Sequence, residues 1–265
     1  MNNNCHLSEE FLQGLRDWFT RYTGSFYTAD PVLQPVLLLK EGHSRRVSGI
    51  ILHIGRKLLL SDHGLRMAEV MALFHDIGRF EQVTRYGTFV DRKSVNHAEL
   101  GLQVLKREKV LAGLEEDTRE LILRAISYHN RLSIPAEESP DCIYYSRLLR
   151  DADKLDILAL FSRYYYAEPA ERSSAVELDL PDGPDVSEGV LKDLQRRKTV
   201  NMQQLRFLND FKLLQLGWAY DVNFQPSLEL IREQGYLQKI RATLPESEAI
   251  DLIYDQILSH IESRL

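Results

Sequence analysis

A short apolar run, Ala72-Leu73-Phe74, leads straight into an adjacent imidazole and carboxylate, His75-Asp76, and then into Ile77-Gly78-Arg79. Few arrangements constrain a fold more tightly. A carboxylate at the end of an apolar segment needs a partner, a proton or a cation once it is buried. Neutral imidazole and carboxylate are both ligands for a divalent metal, so a metal ion answers the problem directly. Further residues of the same chemical kind, His43, His97, His129 and Asp153, each sit in a stretch of helical periodicity.

The periodicity sets the expected fold. Leu7, Phe11, Leu15, Trp18 and Tyr22 recur at helical spacing, and Ser8 before Glu9 and Glu10 reads as a cap, predicting a helix over 8–23. From Pro35 to Leu60 a stripe of His43, Val47, Ile50, Ile54 and Leu58 predicts a second helix that aims His43 inward. Arg45, Arg46, Arg56 and Lys57 fall mostly off the stripe and read as a solvated face. Ser61 to Gly64 reads as a turn, Met67 to Phe74 as a helix delivering His75-Asp76 at its end, and Gly78 as the break after it. Residues 80–96 hold no 3.6 period and are expected to form a loop over a site. His97 to Lys109 is helical again, and Asp117-Thr118-Arg119-Glu120 has the pattern of a capping box opening a helix that ends near His129.

Pro135 and Pro140 bracket a connector before the helix of Tyr144, Leu148, Ala152 and Leu155, which carries Asp153. Residues 167–186, with Pro169, Pro181, Gly183 and Pro184, read as the main break, and Asp185-Val186-Ser187-Glu188 as a second capping box. Helical pattern resumes through Leu191, Leu205, Leu208 and Phe211, and a last helix carries Ile250, Ile253, Ile257 and Ile261. No stretch alternates as strands do, and no internal repeat appears. The expected fold is all-α: an N-terminal helix (1–30) packed on a helical bundle (31–170), with a C-terminal helical extension (171–265).

Composition narrows the function. A hydrophobic content of 44% supports a sizeable core, and a net charge of −6 argues against a nucleic-acid polymer or a membrane surface as partner. The two cysteines, Cys5 and Cys142, make no disulfide framework, so two free thiols in a reducing cytoplasm are expected. The first residues show no basic region followed by an apolar core, and no apolar run is long enough to span a bilayer.

Taken in order, the candidate ligands read His, His-Asp, His, His, Asp. With Lys40-Glu41-Gly42-His43-Ser44, His75-Asp76-Ile77-Gly78 and Ala152-Asp153-Lys154-Leu155, this stretch of roughly residues 30–170 resembles the HD-domain superfamily of metal-dependent phosphohydrolases. The resemblance implies an HD-domain helical bundle in which His43, His75, Asp76 and Asp153 hold one metal. His97 and His129 match the two extra histidines of the binuclear subset, with Asp76 bridging two ions. Imidazole and carboxylate ligands suit Mn, Fe, Co, Ni or Zn rather than Mg or Ca. The expected activity is hydrolysis of a small phosphorylated molecule, a nucleotide or phosphodiester, with Asp76 and Arg79 as catalytic residues. Arg79, Lys93, Asn96 and Lys154 are the candidate substrate-binding residues, Arg79 first because a guanidinium forks onto phosphate oxygens. Tyr128, Asn96 and Asn130 flank ligands and are candidates for touching substrate or for supporting contacts.

Competing readings accompany these. The same ligand order occurs in HD-fold di-iron oxygenases, which is the alternative enzyme class, and a non-catalytic regulatory HD-fold protein is the second alternative. His6, His53, His63 and His260 are read as surface or satisfied core histidines, Asp151 and Asp156 as surface or supporting charges, and Tyr164-Tyr165-Tyr166 as packing. For Arg79 the structural alternative is an ion pair with Glu81 or a helix cap. Residues 187–265 carry no chemistry of their own; covering the site or forming a homodimer contact are their expected roles.

Overall fold

The computed structural model of the protein describes residues 7–168, 172, 174 and 176–265. Cys5, His6 and Pro169 lie outside the described residues. The chain forms two compact units, Met1–Asp153 and Lys154–Leu265. The expected all-α class holds: helices are joined by turns, with no β-strand among the described residues. None of these helices is long and apolar enough to cross a membrane.

The first unit contains α1 (Glu9–Gly24), α2 (Leu33–Lys57), α3 (Asp62–Phe74), α4 (Gly78–Tyr86), α5 (His97–Arg107), α6 (Glu116–Tyr128) and the first part of α7 (Pro140–Tyr164). Helix α1 starts where the sequence indicates, with the Ser8 hydroxyl accepting the Phe11 N–H at 3.1 Å. Its buried face, Leu12, Leu15 and Phe19, packs on α3. The Phe19 ring meets Phe74 and Phe80 edge-on at 6.2 and 6.4 Å, and each such fully buried ring stabilises the unit by about 1.5–3 kcal/mol. Arg16 adds a forked pair to the buried Glu69 carboxylate at 2.6 and 2.8 Å. Helix α2 runs against α3 and α4, and α6 against α3 and α5.

Three local expectations are corrected. Ser61-Asp62-His63-Gly64 is not a free turn: Ser61 caps α3, accepting from the Gly64 N–H, and the helix begins at Asp62. The stretch 80–96 is not all loop. Residues Gly78–Tyr86 are helical, and only the segment from Gly87, at φ 66°, to Asn96 is irregular, apart from a 3-10 turn at Asp91–Lys93. Periodicity misses α4 because Glu81 and Gln82 are buried polar residues with hydrogen-bond partners, which a count of apolar positions does not register. The Asp117–Glu120 capping box does not form; α6 begins at Glu116, with Glu115 at the cap position and no side-chain cap.

Gly78 does not end a helix; it starts one and lets two backbones touch. A Cβ there would lie 2.3 Å from the His97 carbonyl oxygen and 2.5 Å from the Gly101 nitrogen. Helix α4 can therefore cross α5 only with glycine at this position, and the contact fixes His97 at the first turn of α5.

Helix α7 is buried on several sides. Leu148, Leu149 and Ala152 belong to the core of the first unit, and Leu155, Leu158 and Phe161 to that of the second. Asp151 and Asp156 are buried, at 0% and 2% exposure, so the surface reading of both is wrong: on a helix enclosed this way, pointing away from Asp153 does not lead to solvent.

The second unit continues with α8 (Glu188–Gln195), α9 (Leu208–Gly217), α10 (Gln225–Gln234), α11 (Tyr236–Arg241) and α12 (Glu248–Glu262). The isoleucine stripe Ile250, Ile253, Ile257 and Ile261 is buried as expected, and α12 packs on α8 and α9. The Asp185–Glu188 box does not form. Ser187 occupies the cap position, but its hydroxyl donates to Asp210 at 2.7 Å. The fully buried Asp210 carboxylate also accepts from the Ser187, Arg206 and Phe207 N–H groups. Tyr165 is buried and donates to Gln215, whereas Tyr166 is exposed and donates to the Lys239 carbonyl.

Replacing Gly78 with alanine forces backbone against backbone and is expected to destabilise the protein by about 1–3 kcal/mol or more. Gly49→Ala on α2, where nothing lies within 4 Å of the added carbon, should be neutral or stabilising by up to about 1 kcal/mol. Urea unfolding of the two variants checks the contrast; equal effects would remove the close-approach role of Gly78.

Candidate metal centre

Five segments of the first unit deliver six side chains to one place. His43 sits mid-way along α2, and His75 and Asp76 follow the last residue of α3. His97 opens α5, His129 follows α6, and Asp153 lies on α7. His75 is fully buried and His43, Asp76, His97 and His129 nearly so; the Asp153 side chain keeps 18% exposure, on the open side of the cluster.

Two of the imidazoles are aimed by one device. His75 Nδ1 lies 2.7 Å from the Ala72 carbonyl, and His129 Nδ1 lies 2.7 Å from the Ile126 carbonyl, each three residues back at a helix end. A carbonyl only accepts, so both Nδ1 atoms carry the proton. Each ring thereby adds a hydrogen bond to a carbonyl in the last turn of its own helix and, in this tautomer, leaves Nε2 bare. His97 reaches the same state through Asp91, whose carboxylate oxygens lie 2.8 and 3.0 Å from Nδ1.

The bare nitrogens converge. His97 Nε2 and His129 Nε2 are 2.9 Å apart, and they lie 3.4 and 3.7 Å from Asp76 Oδ1. His43 Nε2 and His75 Nε2 are 3.2 Å apart. Both lie 3.7 Å from Asp76 Oδ2, and 3.1 and 3.7 Å respectively from Asp153 Oδ1. The two oxygens of Asp76 thus face different pairs of imidazoles. Ligand atoms of His43, His75 and Asp153 gather within 4.8 Å of one another, as do those of His75, Asp76 and His129.

Electrostatics keep these groups in their metal-binding forms. Burial, and then the nearby Arg79 charge, push His97 down to about 3, so its ring is neutral near pH 7. Burial pushes Asp76 up, but the neighbouring Lys40, His75 and Arg79 side chains outweigh it and hold the carboxyl well below the usual range. For Asp153, the neighbouring His43 and His75 imidazoles overcome burial in the same direction. With Nδ1 of both His97 and His129 engaged as donor, the Nδ1–H form of each ring turns a bare Nε2 toward the other. A cation between such atoms relieves that contact, and the donor set of imidazole nitrogen and carboxylate oxygen suits a divalent transition metal.

The structure gathers the predicted cationic residues only in part. Arg79 lies at the cluster, with its side chain 14% exposed. Nε is 3.4 Å from Asp76 Oδ1, and Nη1 donates to Gln82, the Phe89 carbonyl and Asp91. Lys93 is exposed in the 3-10 turn. Asn96 is the cap of α5, its Oδ1 accepting from the Ala98 and Glu99 N–H groups and from Asn130 Nδ2. The Lys154 ammonium donates to the Asp221 carboxylate and carbonyl, within the second unit. Tyr128 donates to Glu138.

Two neighbours escaped sequence reasoning. Lys40 Nζ lies 2.8 Å from Asp76 Oδ2 and sits over the Phe89 ring, 5.3 Å from its centroid. Asp91 supports His97. Lys40 precedes His43 by one helical turn, which is a usable signal; Asp91 lies in irregular chain, where spacing says nothing.

A comparison with protein-family models matches the HD domain over residues 41–158. Comparisons with curated proteins and with solved structures gave no match. The matched span contains all six clustered side chains. Residues 41–158 of this chain accordingly match the HD domain, the domain of a superfamily of metal-dependent hydrolases, and the His/Asp cluster they contain is compatible with a metal-binding site.

Proposed function

We propose that the protein is a metal-dependent phosphohydrolase that cleaves a phosphoester of a small molecule, a nucleotide or phosphodiester. The observation that carries this reading is the Asp76 carboxylate, each of whose oxygens faces its own pair of imidazoles. On this reading His43, His75, Asp76 and Asp153 hold one divalent ion, and Asp76, His97 and His129 hold a second. Two such ions supply a water of lowered pKa and offset the charge that builds on a phosphoryl group in the transition state.

The chain's own residues do the rest. Asp76 holds both halves of the site in register. Arg79, braced through Nε and Nη1, keeps Nη2 without a hydrogen bond among the described residues and directs it to a phosphoryl oxygen. Lys40, beside Asp76, adds positive charge where an anionic substrate would arrive. The acidic net charge favours a small substrate over a nucleic-acid polymer.

Screening phosphorylated metabolites with the manganese-loaded chain tests the proposal. The wild type should release phosphate or a phosphomonoester, and Asp76→Asn should lose about 10²–10³-fold or more of that rate. Arg79→Ala should weaken substrate binding by about 10–100-fold, the scale of a lost charged hydrogen bond, while keeping its metal. Turnover of no phosphoester, with a mixed-valent di-iron signal in aerobic protein, would move the assignment to oxygenase chemistry.

Metal binding has its own readout. A divalent ion at 100 times its dissociation constant should stabilise the fold by about 2.7 kcal/mol, seen as a rise in melting temperature. His129→Ala should bring the metal content toward one ion per chain; unchanged stoichiometry would remove His129 from the ligand set.

A further inference from the structure

We propose that Asp91 is a positioning residue that sets which nitrogen of His97 faces the metal centre and ties the irregular segment 87–96 to that centre. The inference rests on reading His97 as a ligand. His97 differs from His75 and His129. Those two follow helix ends and use a carbonyl of their own helix, whereas His97 opens α5 and has no such carbonyl within reach. Its Nδ1 partner comes instead from six residues upstream: the Asp91 carboxylate, at 2.8 and 3.0 Å.

Asp91 is itself held on several sides. Arg79 Nη1 donates to it at 3.1 Å, Gln82 Nε2 at 2.9 Å and Asn130 Nδ2 at 3.3 Å. These donors come from α4 and from the residue after His129. The same Gln82 amide donates to Ser94 Oγ and the Val95 carbonyl, so the segment leading to His97 is fastened by the residues that fasten Asp91. A carboxylate surrounded by donors accepts from a fourth, and the imidazole must then present its bare Nε2 to His129 and Asp76. Supporting contacts of this kind typically change metal affinity by about 10–100-fold.

The test uses the full chain with ¹⁵N-labelled histidine, read by long-range proton–nitrogen NMR, together with a zinc titration. His97→Gln identifies the His97 signals. In the wild type His97 should carry its proton on Nδ1. In Asp91→Ala it should shift toward the Nε2–H form, with zinc affinity at the weaker site lowered about 10–100-fold. Asp91→Asn keeps an accepting oxygen of the same reach, so it should hold the Nδ1–H form with a smaller loss of affinity; it also serves if the alanine variant fails to fold. An unchanged His97 tautomer and unchanged zinc affinity in Asp91→Ala overturn the proposal. If the wild type takes up no zinc while His97 still switches tautomer in Asp91→Ala, the positioning contact stands and the metal reading of the site falls instead.

Discussion

Two imidazole nitrogens facing one another at 2.9 Å, each on a ring whose Nδ1 is already engaged, are the constraint on which the rest of the site depends. His97 and His129 each spend Nδ1 on a hydrogen bond, to Asp91 and to the Ile126 carbonyl. Two Nδ1–H rings so oriented turn lone pairs toward each other, and a cation between them relieves that contact. The His43–His75 pair, at 3.2 Å, brings a second pair of Nε2 atoms together beside Asp153. Asp76 stands between the pairs with one oxygen toward each, and its carboxyl stays ionised because the neighbouring positive groups outweigh its burial.

Helix geometry makes the convergence possible. His75 and His129 are placed where helices end, so each ring closes the last turn of its own helix and is oriented by that closure. His97 is placed where a helix begins, and the contact of Gly78 with the His97 carbonyl and the Gly101 nitrogen brings that beginning to within reach of Asp76. Local backbone chemistry and side-chain chemistry are therefore the same set of bonds. A change at Gly78 acts on the fold and on the position of His97 together.

Much of this was legible before any coordinates. The apolar stripes of α1, α2 and α12 located those helices, because each buries one face and exposes another. The six ligand-type residues were legible from their order. Helix α4 was not, since Glu81 and Gln82 are buried by virtue of their hydrogen bonds, and burial of that kind leaves no apolar period. Asp151 and Asp156 misled for a related reason: on a helix enclosed on several sides, position on the wheel does not report exposure. Asp91 acts through contacts that exist only once α4 and α5 are packed, so spacing could not single it out, whereas Lys40, one turn before His43 on α2, left a signal that went unused. Asn96 carried two readings in sequence, and its oxygen is used as the cap of α5.

Anomalous X-ray scattering from crystals of the manganese-loaded chain, collected at the manganese edge, tests the central claim most directly. The account predicts two peaks flanking Asp76, one among His43, His75 and Asp153 and one between His97 and His129. A single peak on the Asp153 side would leave a mononuclear site and end the bridging role of Asp76. No peak among these six side chains would contradict the account.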